Sequence, residues 1–214
     1  MGSNERRERE KVELKRKILD TARQMFVTEG YDAVSMRKIA QKIEYSPTAI
    51  YLHFKDKESL FEELCATDFL RLAKTFVSIA EIADPIERLR RVGRAYLDFA
   101  LEYPQHYRLM FMTPHPDHAH DHEKLKKGNP EEDAYAFLWL SVEAALKAGR
   151  FRPELKNPDL IAQTLWAGVH GVASLQIAKC NDAWLDWRPI TERAELMIES
   201  QLRGMLRDNG KEKK

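Results

Sequence analysis

Between Ser35 and Phe54 the chain reads SMRKIAQKIEYSPTAIYLHF, and Thr48, Tyr51 and His53 sit close together there, with Lys55 and Lys57 just beyond. Hydroxyls, an imidazole and ammonium groups are the usual partners of phosphate oxygens and base edges. A second concentration is aromatic: Phe76, Tyr96, Phe99, Tyr103, Tyr107, Phe111, Tyr135, Phe137, Trp139, Phe151 and Trp166. In a helix bundle such an excess either fills the core or lines an apolar cavity. A third is the run PHPDHAHDH, where His115, His118, His120 and His122 stand beside Asp117 and Asp121. Imidazole and carboxylate suit zinc, nickel or copper. No helical period or cap orients these groups, however, so a solvent-exposed loop is the preferred reading and no metal is expected.

Other chemistries lack their parts. There is no Gly-x-Gly-x-x-Gly, P-loop or Gly-x-Ser-x-Gly, and no His-Glu-x-x-His or Glu-x-x-His. The chain is therefore not expected to be an enzyme, and no cofactor is expected. With 35 Lys+Arg against 34 Asp+Glu the net charge is +1, which excludes a globally basic nucleic-acid binder but not a local basic face. Two cysteines, Cys65 and Cys180, exclude a disulfide scaffold and suit a reducing compartment. No apolar stretch approaches about 18 residues, and the N-terminus is charged from Glu5 onward. We expect neither a membrane span nor a signal peptide, and a cytoplasmic location.

The elements that must position these groups are helices. At 214 residues the chain allows one large domain or two small ones. Long runs of helical period lie between the prolines and glycines, strand-like alternation is nearly absent, and the class is all-α. Leu14, Ile18, Ala22, Met25 and Phe26 give a first helix, about 11–28, one apolar face, with Gly30 placed to end it. Ser35 can cap a second, whose Met36, Ile39, Ala40 and Ile43 face one way. Ser46-Pro47 opens a third, and Asp56 caps a long fourth that begins at Lys57. Further helices are expected to start at Pro85, Pro104, Pro130 and Pro158. A last one runs from Ile190 to Asp208, striped by Ala194, Met197, Ile198, Gln201, Leu202, Met205 and Leu206.

Two short helices joined by a tight turn, with Ile39, Ala40, Ile43 and Ile50 placed to pack together, make a helix-turn-helix over 35–54, whose second helix enters a DNA major groove. The alternative is a plain α-hairpin in which Tyr51 and His53 are half-buried packing. Residues 1–60 carry 13 Lys+Arg and 10 Asp+Glu. Arg6, Arg7, Arg9, Lys11, Lys15, Arg16 and Lys17 can follow the minor groove or the phosphates. The interleaved Glu5, Glu8, Glu10 and Glu13 favour a solvated helix face over base reading and leave a general attraction.

The segment FVTEGYDAVSMRKIAQKIEYSPTAIYLHFKDKESLFEEL, Phe26 to Leu64, resembles the N-terminal domain of TetR-family transcriptional regulators. The matching features are Phe-x-x-x-Gly-Tyr, Ile39-Ala40, the Ser46 cap, Ile50-Tyr51-x-His53-Phe54 and Lys57-Glu58-x-Leu60. The resemblance implies phosphate contacts from Ser35 and Arg37, base reading at Pro47, Thr48 and Ala49, and a backbone clamp by Tyr51, His53 and Lys57. Ser46 and Lys55 complete the expected DNA-binding set. One departure is the turn Ile43-Glu44-Tyr45, where the family often has glycine. A left-handed backbone at Glu44 costs about 1 kcal/mol, and its carboxylate stands near the DNA.

ALEYPQHYRLMF and LWAGVHG are similar to the C-terminal domain of TetR regulators with a Trp-x-x-x-His-Gly motif, here Trp166, His170 and Gly171. That resemblance implies an effector pocket among the middle helices, lined by Phe69, Phe76, Tyr96, Phe99, Tyr107, Phe111, Phe137, Ser141, Trp166 and His170. For His170 the alternative is a core histidine bonded to a backbone carbonyl. Gly168, Gly171, Ala173 and Ser174 permit close helix approach, and the last two long helices are expected to pair with their symmetry mates. The expected protein is thus a homodimer with a DNA-binding domain over 11–71 and a ligand-binding and dimerisation domain over 75–210. It is expected to bind a palindromic double-stranded operator, to act as a repressor released by a small apolar or aromatic effector, and not to engage a membrane. The alternative is a helical ligand or metal sensor that does not bind DNA by itself.

Overall fold

The computed structural model describes residues 3–114 and 127–207, and the chain folds into two compact units. The histidine run His115–His122 and the tail beyond Arg207 lie outside the described residues.

The first unit contains α1 (Ser3–Glu29), α2 (Met36–Lys42), α3 (Pro47–Tyr51), α4 (Lys57–Phe76) through Phe69, and α6 (Pro104–Met112) from Gln105. Its core is Ile18, Ala22 and Phe26 of α1 against Ile39 and Ala40, Ile50, and Phe61 and Leu64, all with at most 1% exposure. Phe26, Tyr31 and Phe61 meet with ring centroids 5.1–5.5 Å apart. Gly30 ends α1 with φ +83°, its N–H donating to the Phe26 carbonyl at 3.0 Å. A side chain there would strain the left-handed backbone.

α1 begins earlier than the expected start near Lys11. The basic arm is part of the helix, with Arg6 paired to Glu10 at 2.9 Å one turn on. A helix about 10 Å across does not enter a minor groove about 6 Å wide. The interleaved charges thus give a helix face rather than a groove-following strand.

α6 belongs to the first unit, which a contiguous division at 11–71 and 75–210 does not anticipate. The reason is packing: Leu109 has no exposure within the first unit's core, and Phe111 sets its ring edge-on to Phe69 at 5.6 Å.

The second unit contains the end of α4, a 3-10 turn over Val77–Glu81, α5 (Pro85–Glu102), α7 (Ala134–Lys147), α8 (Pro158–Lys179) and α9 (Ile190–Met205). α5 is central, packing on α7, α8 and α9. Asp84, Asp133 and Asn157 cap α5, α7 and α8 with side-chain oxygens, each cap contributing about 1 kcal/mol. The Asp133 cap is why α7 starts later than the Pro130 predicted. Gly93 lets α5 approach α9: a Cβ there would sit 3.0 Å from Ile198 Cδ1. α9 stops before the predicted Asp208 because Leu206 pairs with Phe151, with Arg152 N–H donating to the Met205 carbonyl and Arg207 N–H to the Arg150 carbonyl, both at 2.9 Å.

Candidate nucleic-acid interface

α3 is five residues long and could not persist alone. Three features hold it. Ser46 accepts the Ala49 N–H at 3.3 Å, Pro47 supplies a pre-set first helical residue, and Ile50, with no exposure, anchors the inner face. The outer face then follows by helical geometry. Pro47, Thr48, Tyr51 and Leu52 are exposed, Tyr51 at 51% and Leu52 at 79%, while Ala49 is half-buried. Hydroxyls and an apolar edge on one solvent-facing surface can address phosphates and the thymine methyl.

α2 presents exposed Arg37 beside its cap, Ser35, whose hydroxyl accepts the Lys38 N–H at 3.3 Å. Between the helices Glu44 takes φ 61°. Its N–H reaches the Gln41 carbonyl at 3.2 Å and the Tyr45 N–H the Ala40 carbonyl at 3.0 Å. This is a Schellman closure with glutamate where glycine is usual, at about 1–2 kcal/mol of backbone strain.

The flank is built from α4. Asp56 accepts the Ser59 N–H at 2.8 Å, and Ser59 Oγ accepts the Asp56 N–H at 3.2 Å. The Ser59 N–H, then its hydroxyl, hold the Asp56 carboxyl below its ordinary range. Lys55 is exposed. Lys57, expected at a backbone-clamp position, donates its ammonium to the Tyr31 carbonyl at 3.0 Å and lies 4.1 Å from the Tyr31 ring centroid. His53 is half-buried, and burial, then Lys11 and Lys15, push its pKa down.

Three polar residues escaped the motif reading. Asp68 of α4 has no exposure, yet its carboxylate accepts both Arg23 Nε at 3.1 Å and a terminal Arg23 nitrogen at 2.9 Å. His106 Nδ1 of α6 lies 2.8 Å from the same carboxylate. A signal was available: Leu60, Phe61, Leu64, Cys65, Asp68 and Leu72 share one helical stripe, and a carboxylate on a buried stripe requires a cation and donors.

The residues predicted to line an effector pocket fall into two groups. Phe69, Tyr107 and Phe111 lie in the first unit. Phe76, Tyr96, Phe99, Phe137, Ser141, Trp166 and His170 lie in the second. There Phe76 faces Phe137 at 5.7 Å, and Ser141 donates its hydroxyl to the Phe137 carbonyl at 2.9 Å. Trp166 Nε1–H donates to Tyr96 Oη at 3.2 Å, and Tyr96 Oη lies 3.0 Å from His170 Nδ1. Burial pushes the His170 pKa down, which favours the neutral ring in this cluster.

Two family models match the chain. Residues 18–64 match bacterial regulatory proteins of the tetR family, and residues 89–200 match the tetracyclin repressor-like C-terminal domain. The chain belongs to the TetR family. Among its relatives, the HTH-type transcriptional repressor Rv1474c of Mycobacterium tuberculosis is 44% identical over 59 residues, 28% of this chain and 32% of that protein. The chain thus matches about a third of the length of that relative. The HTH-type transcriptional activator FasR of Mycolicibacterium smegmatis is 27% identical over 153 residues, 71% of this chain and 70% of that one. A TetR family transcription regulator from Marinobacter aquaeolei VT8 superposes with a TM-score of 0.73 at 18% identity, over 94% of this chain and 98% of that one, which shows the shared fold. Among the described residues no helix is long and apolar enough to cross a membrane.

Proposed function

We propose that this TetR-family chain is a sequence-specific DNA-binding transcriptional regulator, a repressor released by a small apolar or aromatic effector. The observation that carries the reading is α3 itself: a short helix, capped by Ser46 and anchored by Ile50, whose Pro47, Thr48 and Tyr51 are left to solvent. Two copies of such a helix about 34–36 Å apart match successive major grooves of a palindrome. A homodimer through α8 and α9 supplies that symmetry. In its support, Leu160, Leu175 and Leu196 are 48–71% exposed on those two helices, an apolar surface that a partner would cover. The names of relatives include both a repressor and an activator. The same reading head serves either, because the sign depends on where the operator lies against the promoter.

The proposed release is a population shift. An effector among Phe76, Tyr96, Phe99, Phe137, Ser141, Trp166 and His170 favours a conformation in which α4 swings and the recognition helices no longer match the groove spacing. α4 is one continuous helix running from the first unit into the second, and α6 follows α5 directly at Pro104. His106 and Leu109 then bring α6 onto the first unit's core.

The test is selection of short duplexes from random DNA by the purified protein near physiological salt. Enrichment of one palindrome is expected. In binding to that duplex Tyr51→Ala should weaken affinity about fivefold regardless of sequence, as loss of a phosphate hydrogen bond of about 1 kcal/mol does. Changes at Thr48 should alter the preferred sequence instead. No enrichment by a folded dimer would replace this reading with a ligand sensor that does not bind DNA by itself.

A further inference from the structure

We propose that Lys17 of α1 is a positioning residue for the recognition helix: it clamps the glycine-free turn between α2 and α3. The turn has a weak point at Glu44, whose left-handed backbone at φ 61° is unfavourable for a residue with a Cβ. The two hydrogen bonds of the Schellman closure occupy the carbonyls of Ala40 and Gln41. The Ile43 carbonyl, which precedes Glu44 directly, accepts the Lys17 ammonium at 3.1 Å. The same ammonium lies 5.3 Å from the centroid of the Tyr45 ring, which follows Glu44 directly. One cation thus grips both sides of the strained residue, once through a charge-assisted hydrogen bond and once through the face of a π system. Its anchor is rigid, because the next residue of α1, Ile18, has no exposure.

The consequence concerns DNA reading. The turn sets the angle between α2 and α3, and Ser46, the cap of α3, follows Tyr45 directly. If the left-handed turn relaxes, the Ser46 cap and the outward face of Pro47, Thr48 and Tyr51 shift together. Glycine tolerates φ above zero at no steric cost, so a turn with glycine at 44 needs no such clamp. The reading therefore makes Lys17 and Glu44 a coupled pair although their side chains need not touch.

The proposal rests on the DNA-binding reading for its consequence but not for its mechanics, and the experiment separates the two. Amide hydrogen exchange is measured on the 214-residue parent chain and on Lys17→Met, Lys17→Arg, Glu44→Gly and the Lys17→Met/Glu44→Gly double variant. Exchange of the Tyr45 amide is expected to speed up about tenfold in Lys17→Met, to stay near the parent rate in Lys17→Arg, and to recover in the double variant. Affinity for the selected palindrome is then measured at several salt concentrations. Lys17→Met is expected to bind about tenfold more weakly with an unchanged salt slope, because no phosphate contact has been lost. Removing a lysine that touches phosphate in each of the two protomers would lower that slope by about 1.8, about 0.9 per contact. Glu44→Gly is expected to restore binding far more in the Lys17→Met background than in the parent, a coupling that two independent sites do not show. Unchanged Tyr45 exchange in Lys17→Met overturns the clamp. A shallower salt slope with the same Glu44→Gly gain in both backgrounds overturns it too, and makes Lys17 a phosphate contact. Faster exchange in a protein that selects no DNA supports the clamp and counts against the DNA-binding reading alone.

Discussion

At the centre of the first unit is a carboxylate with no exposure, Asp68, held by Arg23 and His106, so that α1, α4 and α6 share one charged joint. The second unit joins α5 to α9 by ion pairs as well, Arg90 to Glu199 and Arg94 to Glu195, both at 2.6 Å, but their side chains are 25–46% exposed. The outer faces differ in the opposite sense. Around α3 the first unit shows solvent Thr48, Tyr51 and Lys55, whereas α8 and α9 show it Leu160, Leu175 and Leu196. A charged joint removed from water is directional and costly to break, which suits a unit whose helices must keep one geometry. A surface pair costs little to rearrange, and apolar surface suits a partner that stays.

The largest expected effect would break this contrast at its centre. Asp68→Asn leaves the buried Arg23 with only the exposed Asp20 carboxylate, 3.1 Å away, as counter-charge, and should cost the first unit about 3 kcal/mol. The matching change in the second unit, Glu195→Gln, should cost below about 1 kcal/mol. Denaturant unfolding of the two variants, followed by probes in each unit, checks both; equal losses would erase the distinction. Next in size is the apolar outer face. Leu196→Arg should yield a folded protein with the sedimentation mass of a single chain, while Val12→Arg, at a similarly exposed apolar residue of α1, should leave the parent mass unchanged. A Leu196→Arg protein of the same mass as the parent would place the dimer contact elsewhere.

The smallest effect sharpens the polar side of the comparison. In the free protein burial, then Lys11 and Lys15, hold the His53 pKa below its ordinary value. A phosphate opposite the ring acts the other way, so binding takes up a proton and affinity should rise as pH falls. We expect a gain of a few-fold between about pH 8 and pH 6, around the ordinary histidine value. His53→Gln should flatten the profile. A profile of the same slope in that variant would remove His53 from the contact set.

Much of the reading head could be seen without coordinates because its determinants are local. Caps at Ser35, Ser46 and Asp56 act within three residues of themselves, and the period of Ile39, Ala40, Ile43 and Ile50 names the inner face. The same holds for the starts of α5 and α8 at Pro85 and Pro158. Less legible were features that depend on what arrives from elsewhere in the chain. The start of α7 turned on Asp133 capping rather than on Pro130, and the end of α9 on Phe151 pairing with Leu206. Lys57 carries a motif position, but the nearby Tyr31 carbonyl and ring decide where its ammonium rests.

Helical period, caps and a short motif therefore determined the all-α class, the helix-turn-helix and its exposed face, since each depends on residues a turn or less apart. The tertiary structure decided that α6 joins the first unit, that Asp68 finds its charge partner 45 residues away in Arg23, and that Lys17 reaches the turn 26 residues on. Such partners are set by the packing of whole helices. No local pattern specifies which cation will meet a buried carboxylate or a strained turn until the apolar faces have brought them together.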